Sequence, residues 1–156
     1  MKTRILIATA LAALAVVPAA ASAKTLHFSG KATGPKPDAN MKITFDVVAS
    51  QGRPKTIENI QVTDLDYRCH NGDFERDLRV FATGAFSKSG KFDVAEEDLP
   101  PAYKNDVWGK FAYPKKGKRK KPTITGTLLS EFGYGPTRNE YNCLGGEEFT
   151  ATPAKG

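Results

Sequence analysis

The amino-acid sequence predicts an all-β protein, an antiparallel β-sandwich of about seven to nine strands, with a β-barrel as the alternative. Two observations carry this. Apolar residues recur at every second position in segment after segment, and the helical spacing of three and four is absent. Between the segments lie clusters drawn from the 14 glycines and 10 prolines, together with Asn and Asp, which break strands and favour turns.

Leu26 and Phe28 share one side of a first strand, and Ile43, Phe45 and Val47 repeat the pattern in a second. The turn formers of Gly34-Pro35-Lys36-Pro37-Asp38-Ala39-Asn40 separate them, so the pair reads as a hairpin. A long segment runs from Ile57, Ile60 and Val62 through Leu65 and Tyr67 to Cys69. Leu78 and Val80 mark another strand, and the Ser87-Lys88-Ser89-Gly90 turn leads into Phe92 and Val94. The acidic stretch Ala95 to Leu99 is the best helix candidate, at one turn, before Pro100-Pro101 interrupts the chain. Val107, Phe111 and Tyr113 then line one face of a strand, and Trp108 falls on the opposite parity. Ile124, Gly126 and Leu128 line the next, and a last short strand covers Glu148 to Thr152.

The N-terminus carries the pattern of an export signal. Lys2 and Arg4 precede an apolar run from Ile5 to Val17, and Ala21-Ser22-Ala23 offers the small residues a signal peptidase needs, placing the cut before Lys24. A membrane-spanning helix needs about 20 apolar residues, more than this run contains. The expected organisation is a signal peptide over 1–23 and a single β domain over 24–156, with no transmembrane anchor. The expected location is secreted, periplasmic or cell-wall associated.

Cys69 and Cys143 are the only cysteines, and both lie beyond the predicted cut. In an oxidising compartment an isolated pair most economically forms one disulfide. A metal site would need further ligands, and His27 and His70 are the only histidines. No cofactor and no metal is expected.

Removing Lys2 and Arg4 lowers the net charge from +6 to +4. The remaining basic excess is local: Lys115, Lys116, Lys118, Arg119, Lys120 and Lys121 form one run between Pro114 and Pro122, which reads as a hairpin tip. Such a tip can contact an anionic wall polymer or a lipid head-group layer, with nucleic acid the weakest of the partners, or it can simply keep a loop solvated. Trp108 and Tyr134 form a second candidate surface, since exposed flat rings stack on sugar faces; the competing reading buries Trp108 in the core.

Enzymatic chemistry lacks parts. Neither G-x-S-x-G nor H-E-x-x-H occurs, and neither histidine sits in a nucleophile or base motif, so no catalytic residue is expected. Acids recur as Asp64 and Asp66, as Asp73, Glu75 and Asp77, as Glu96, Glu97 and Asp98, and as Glu147 and Glu148. Two of them converging could form a glycosidase pair, while solvated strand faces are the ordinary explanation. Asn71, Asp73, Glu75 and Asp77 offer hard oxygens for calcium, yet their spacing matches no calcium loop and Arg76 intrudes.

Thr125-Gly126-Thr127-Leu128, followed by Cys143-Leu144-Gly145-Gly146-Glu147-Glu148-Phe149-Thr150-Ala151, resembles the C-terminal part of small secreted actinobacterial β proteins with one cysteine pair. The resemblance implies a disulfide-linked β fold and no activity. The functional expectation is a secreted binding or envelope-interaction domain for glycans or anionic wall polymers. Its alternatives are a small hydrolase with a carboxylate pair and an inhibitor acting through an exposed loop.

Overall fold

Nine β-strands and, among the described residues, no helix make up the computed structural model, which describes residues 22–70, 72–98, 103–114, 121–133 and 143–154. The strands are β1 (Lys24–Ala32), β2 (Lys42–Ser50), β3 (Arg53–Cys69), β4 (Phe74–Val80), β5 (Gly84–Ala85), β6 (Lys91–Asp98), β7 (Tyr103–Ala112), β8 (Thr123–Phe132) and β9 (Cys143–Pro153). They form one antiparallel sheet in the order β4-β3-β2-β1-β9-β8-β7-β6, with β5 paired to β3.

The sheet closes on itself through β3. Most of this long strand pairs with β2, and β2, β1 and β9 follow as neighbours; its last residues, Tyr67 to Cys69, then pair with Cys143 to Gly145 of β9. A ring of β1, β2, β3 and β9 results. Asn59 and Asp64 have left-handed backbones, φ 55° and 56°, beside register shifts in the ladders to β2 and β4. Bulges of this kind bend a strand and raise its twist, which is what carries β3 round the ring. The all-β expectation therefore holds, and the closed ring with outer strands lies on the barrel side of it.

The alternation read from the sequence decides which side chains fill the interior. Phe28, Phe45, Val47, Ile57, Leu65, Tyr67, Val107, Phe111, Leu128 and Phe149 belong to a single buried cluster. Phe28 stacks on Phe45 at 5.5 Å and meets Phe111 edge-on at 6.1 Å, so rings from β1, β2 and β7 share one centre. Cys69 and Cys143, directly opposite in register, are joined by the disulfide.

On the inner face, Phe92, Gly109, Gly126 and Phe149 form a row across four strands. A Cβ at Gly109 would sit 2.4 Å from the Thr125 carbonyl oxygen and 2.9 Å from the Phe92 ring. One at Gly126 would meet the Trp108 carbonyl oxygen at 2.5 Å and the Phe149 ring at 2.7 Å. The two rings and the closely approaching backbones leave no room for a side chain, so glycine is required at this bend.

Three local expectations are corrected. Ala95 to Asp98 is the end of β6 rather than a helical turn, because each residue pairs with β7, from Ala95 opposite Asp106 to Asp98 opposite Tyr103. Tyr113 lies beyond β7 and is exposed, although Val107 and Phe111 on its parity are buried. The last strand begins at Cys143, not Glu148, since β8 pairs with it along its whole length.

Candidate functional site

On the outer face of β6 to β9 the side chains stand in rows set by the ladder register. One row runs Asp93, Trp108, Thr127 and Glu148, and it is extended by Thr33, whose N–H donates to the Glu148 carbonyl at 2.8 Å. The next runs Lys91, Lys110, Thr125, Thr150 and Lys31. The row between them is the Phe92–Gly109–Gly126–Phe149 row, which sends its rings inward and presents only backbone to the outside. An open groove of about 970 Å³ lies along these rows, with Trp108 and Lys110 in its lining.

Trp108 is 40% exposed, while Val107 and Phe111 on the opposite parity are buried. The indole therefore offers a face to solvent among hydroxyl, carboxylate and ammonium groups. Lys91 and Lys110 are direct cross-strand partners. Among the described residues neither is in an ion pair; Lys104 with Asp106 and His27 with Asp46 are the pairs that form.

Lys121 is exposed, and its Nζ donates to the Pro153 carbonyl at 3.4 Å. Lys115, Lys116, Lys118, Arg119 and Lys120 lie outside the described residues, as do Tyr134 and the predicted signal segment up to Ala21. The basic run joins β7 to β8, the strands that carry Trp108, Lys110, Thr125 and Thr127.

The acidic residues separate into different places. The bulge at Asp64 turns its N–H onto Asp77 Oδ1 at 3.2 Å, away from Asp66. Asp66 instead borders a cleft of about 850 Å³ shared with Asp38, Asp73 and Glu147. Asp38 organises the loop between β1 and β2: its Oδ1 accepts from the N–H groups of Asn40 at 2.9 Å and Met41 at 3.2 Å, and its Oδ2 accepts from Asp66 N–H at 3.2 Å. Its own N–H donates to Glu147 Oε1 at 3.3 Å. Desolvation, followed by the charges of Asp38 and Asp73, raises the pKa of Asp66. Glu147 is also raised, by desolvation first and by Asp38 and Asp66 after it, against the lowering effect of the Asp38 N–H.

In the buried core, between β3, β7 and β8, lies a polar chain that the sequence reading passed over. Tyr67 Oη donates to Ser130 Oγ at 2.7 Å, and Ser130 Oγ donates to Asn105 Oδ1 at 2.6 Å. Burial pushes the Tyr67 hydroxyl above its ordinary pKa, offset in part by the Ser130 hydrogen bond and by Arg76, so it keeps its proton. A signal was available: Asn105 shares the parity of Val107 and Phe111, and Ser130 that of Leu128 and Ile124. A polar residue at a core position is the informative exception to burial rules.

Among the described residues no group of three or more His, Cys, Asp or Glu side chains is placed to hold a metal ion, and no helix is long and apolar enough to cross a membrane. No protein-family model, curated protein or solved structure matches this chain.

Proposed function

We propose that this protein is an exported binding domain that holds an acidic polysaccharide, such as an anionic wall polymer, on the outer face of β6 to β9. The observation that carries the reading is the Lys91–Lys110 pair beside the Trp108 row. Like charges directly opposite each other in a sheet are destabilising, by up to about 1 kcal/mol. An anionic group bridging the two ammonium groups reverses that repulsion. The indole stacks on the apolar face of a sugar ring, and Thr125, Thr127 and Thr150 offer hydroxyls along the same groove. Asp93 and Glu148 accept from sugar hydroxyls at the other row. The N-terminal pattern of Lys2, Arg4 and the apolar run supports export, and the basic run that follows β7 in the sequence is in keeping with an anionic partner.

Trp108 is the only tryptophan in the chain, so its fluorescence reports on this face alone. Titration of the domain from Lys24 onward with oligogalacturonate gives a saturable spectral change that weakens with salt, and a neutral glucan oligosaccharide of equal length gives a much smaller one. Lys91→Thr with Lys110→Thr abolishes the preference for the acidic chain, and Trp108→Ala, followed by calorimetry, weakens both. Equal response to acidic and neutral chains, or none to either, rejects the proposal.

A second reading draws on the two raised carboxyls. Asp66 and Glu147 border one cleft and have pKa values raised by desolvation and neighbouring carboxylates, the direction a general acid for glycoside hydrolysis needs. Release of reducing ends from the same oligosaccharides by wild type, abolished in Glu147→Gln, would replace simple binding with this activity.

A further inference from the structure

A cavity of about 250 Å³ lies between β4 and the strands β7 and β8, with Tyr67 of β3 in its lining. Tyr67, Tyr103 and Phe132 give it aromatic walls, Asn105 lies at its polar end, and Arg76 and Arg79 stand at its rim. Its volume falls just below the roughly 300–1,000 Å³ of pockets that take drug-sized ligands, which suits a single ring.

Asn105 is 1% exposed. Its Oδ1 is occupied by Ser130, and the direction of the chain from Tyr67 to Ser130 to Asn105 uses the one proton of each hydroxyl. Asn105 Nδ2 is buried and has no hydrogen-bond partner. Leaving such a donor unmatched costs about 1–3 kcal/mol, and folded proteins rarely carry one. Directly opposite in the ladder stands Glu96, whose Oε1 accepts from the Phe81 N–H at 3.0 Å while its buried Oε2 also has no partner. An unfilled donor and an unfilled acceptor thus stand as cross-strand neighbours.

Glu96 is the ladder partner of Asn105 and is not itself in the cavity lining, and one small group placed between them would satisfy both. A hydroxyl accepts from the Asn105 amide and donates to the Glu96 carboxylate. A carboxylate at this spot would meet the charge of Glu96, and an ammonium would meet the N–H groups of Asn105. The walls ask for a flat ring: Tyr67 meets Phe132 edge-on at 4.8 Å. The rim asks for negative charge: the Arg76 guanidinium lies 4.7 Å from the centre of the Phe132 ring and that of Arg79 6.0 Å from the Phe81 ring, while the Asp77 carboxylate at the rim accepts the Asp64 N–H.

We propose that this cavity beneath β4 is a binding site for a small phenolic acid, its hydroxyl seated at Asn105 and Glu96 and its carboxylate at Arg76 and Arg79. This site is separate from the Trp108 groove and stands whether or not that groove binds polysaccharide.

The test is calorimetric titration of the domain from Lys24 onward with 4-hydroxybenzoate, benzoate and phenol. 4-Hydroxybenzoate binds saturably, and benzoate, which lacks the hydroxyl, binds at least about tenfold more weakly. Arg79→Ser, a rim change that leaves the interior intact, weakens 4-hydroxybenzoate and leaves phenol unaffected. Asn105→Ala removes the preference for 4-hydroxybenzoate over benzoate. Oligogalacturonate does not displace the ligand. Absence of saturable binding, which means the cavity holds water only, overturns the proposal. So do equal affinities for 4-hydroxybenzoate and benzoate, or displacement by the oligosaccharide.

Discussion

Lys91 and Lys110 face each other directly across the β6–β7 ladder, and among the described residues neither has a carboxylate partner at ion-pair distance. Both belong to an outer row that continues through Thr125 and Thr150 to Lys31, so three lysines and no acid occupy it. Lys110→Thr removes the repulsion. The expected outcome is a gain in stability of about 0.2–1 kcal/mol, read from the urea midpoint, together with weaker binding of acidic oligosaccharide. A loss of stability would mean that the lysine stem packs against its neighbours more than its charge repels.

Gly109 and Gly126 oppose each other beneath the rings of Phe92 and Phe149. In Gly109→Ala the new methyl group has the Thr125 carbonyl oxygen 2.4 Å away, and that oxygen is backbone within a ladder, so it cannot swing aside. The expected cost is about 1–3 kcal/mol, measured by thermal and urea unfolding. Wild-type stability in this variant would show that the bend relaxes freely.

The cleft at Asp38 sets a pH dependence. Asp66 and Glu147 have pKa values raised by folding, so between the ordinary carboxylate value and the raised one the native state binds more protons than the unfolded chain. Their unfavourable contribution is complete above the raised values and vanishes below the ordinary ones. Stability from these two groups therefore increases as pH falls through that window. Urea midpoints between about pH 4 and pH 7 should show the wild type gaining on acidification relative to Glu147→Gln, which cannot titrate. Parallel curves for the two proteins would contradict this.

The Cys69–Cys143 bond closes a loop with a sequence separation of 74 and ties the two strand segments that shut the ring. Replacing both cysteines by Ala should lower stability by about 4 kcal/mol in denaturant unfolding, mainly through the freer unfolded chain. A change below about 1 kcal/mol would show that the unfolded chain keeps residual structure that already restricts it.

Much of the fold was legible in the sequence because period-two alternation is a local signal. The parity that separates Trp108 from Val107 and Phe111 is an example, and so is the single cysteine pair. What needed the structure depends on register. β5 is two residues long, too short to carry a period, and Gly84 is there because its backbone lies against Val94 and Asp93 of β6. Ala95 to Asp98 looked like a helical turn because alanine and glutamate favour helices, but pairing with β7 overrides that preference. The Lys91–Lys110 pair appears only when β6 is aligned on β7. Asn105, Ser130 and Tyr67 are distant in sequence, and nothing local says that they meet.

The ladder between β1 and β9 joins opposite ends of the chain, with Phe28 opposite Pro153 and Ala32 opposite Phe149. Its consequence is kinetic. β1 is a central strand with β2 on one side only until β9 arrives, and β9 is the last of the described strands. Contacts between residues so far apart are slow to form, so closure waits for the final strand to be synthesised. Until then β1 keeps an unpaired edge, which is open to pairing with another chain.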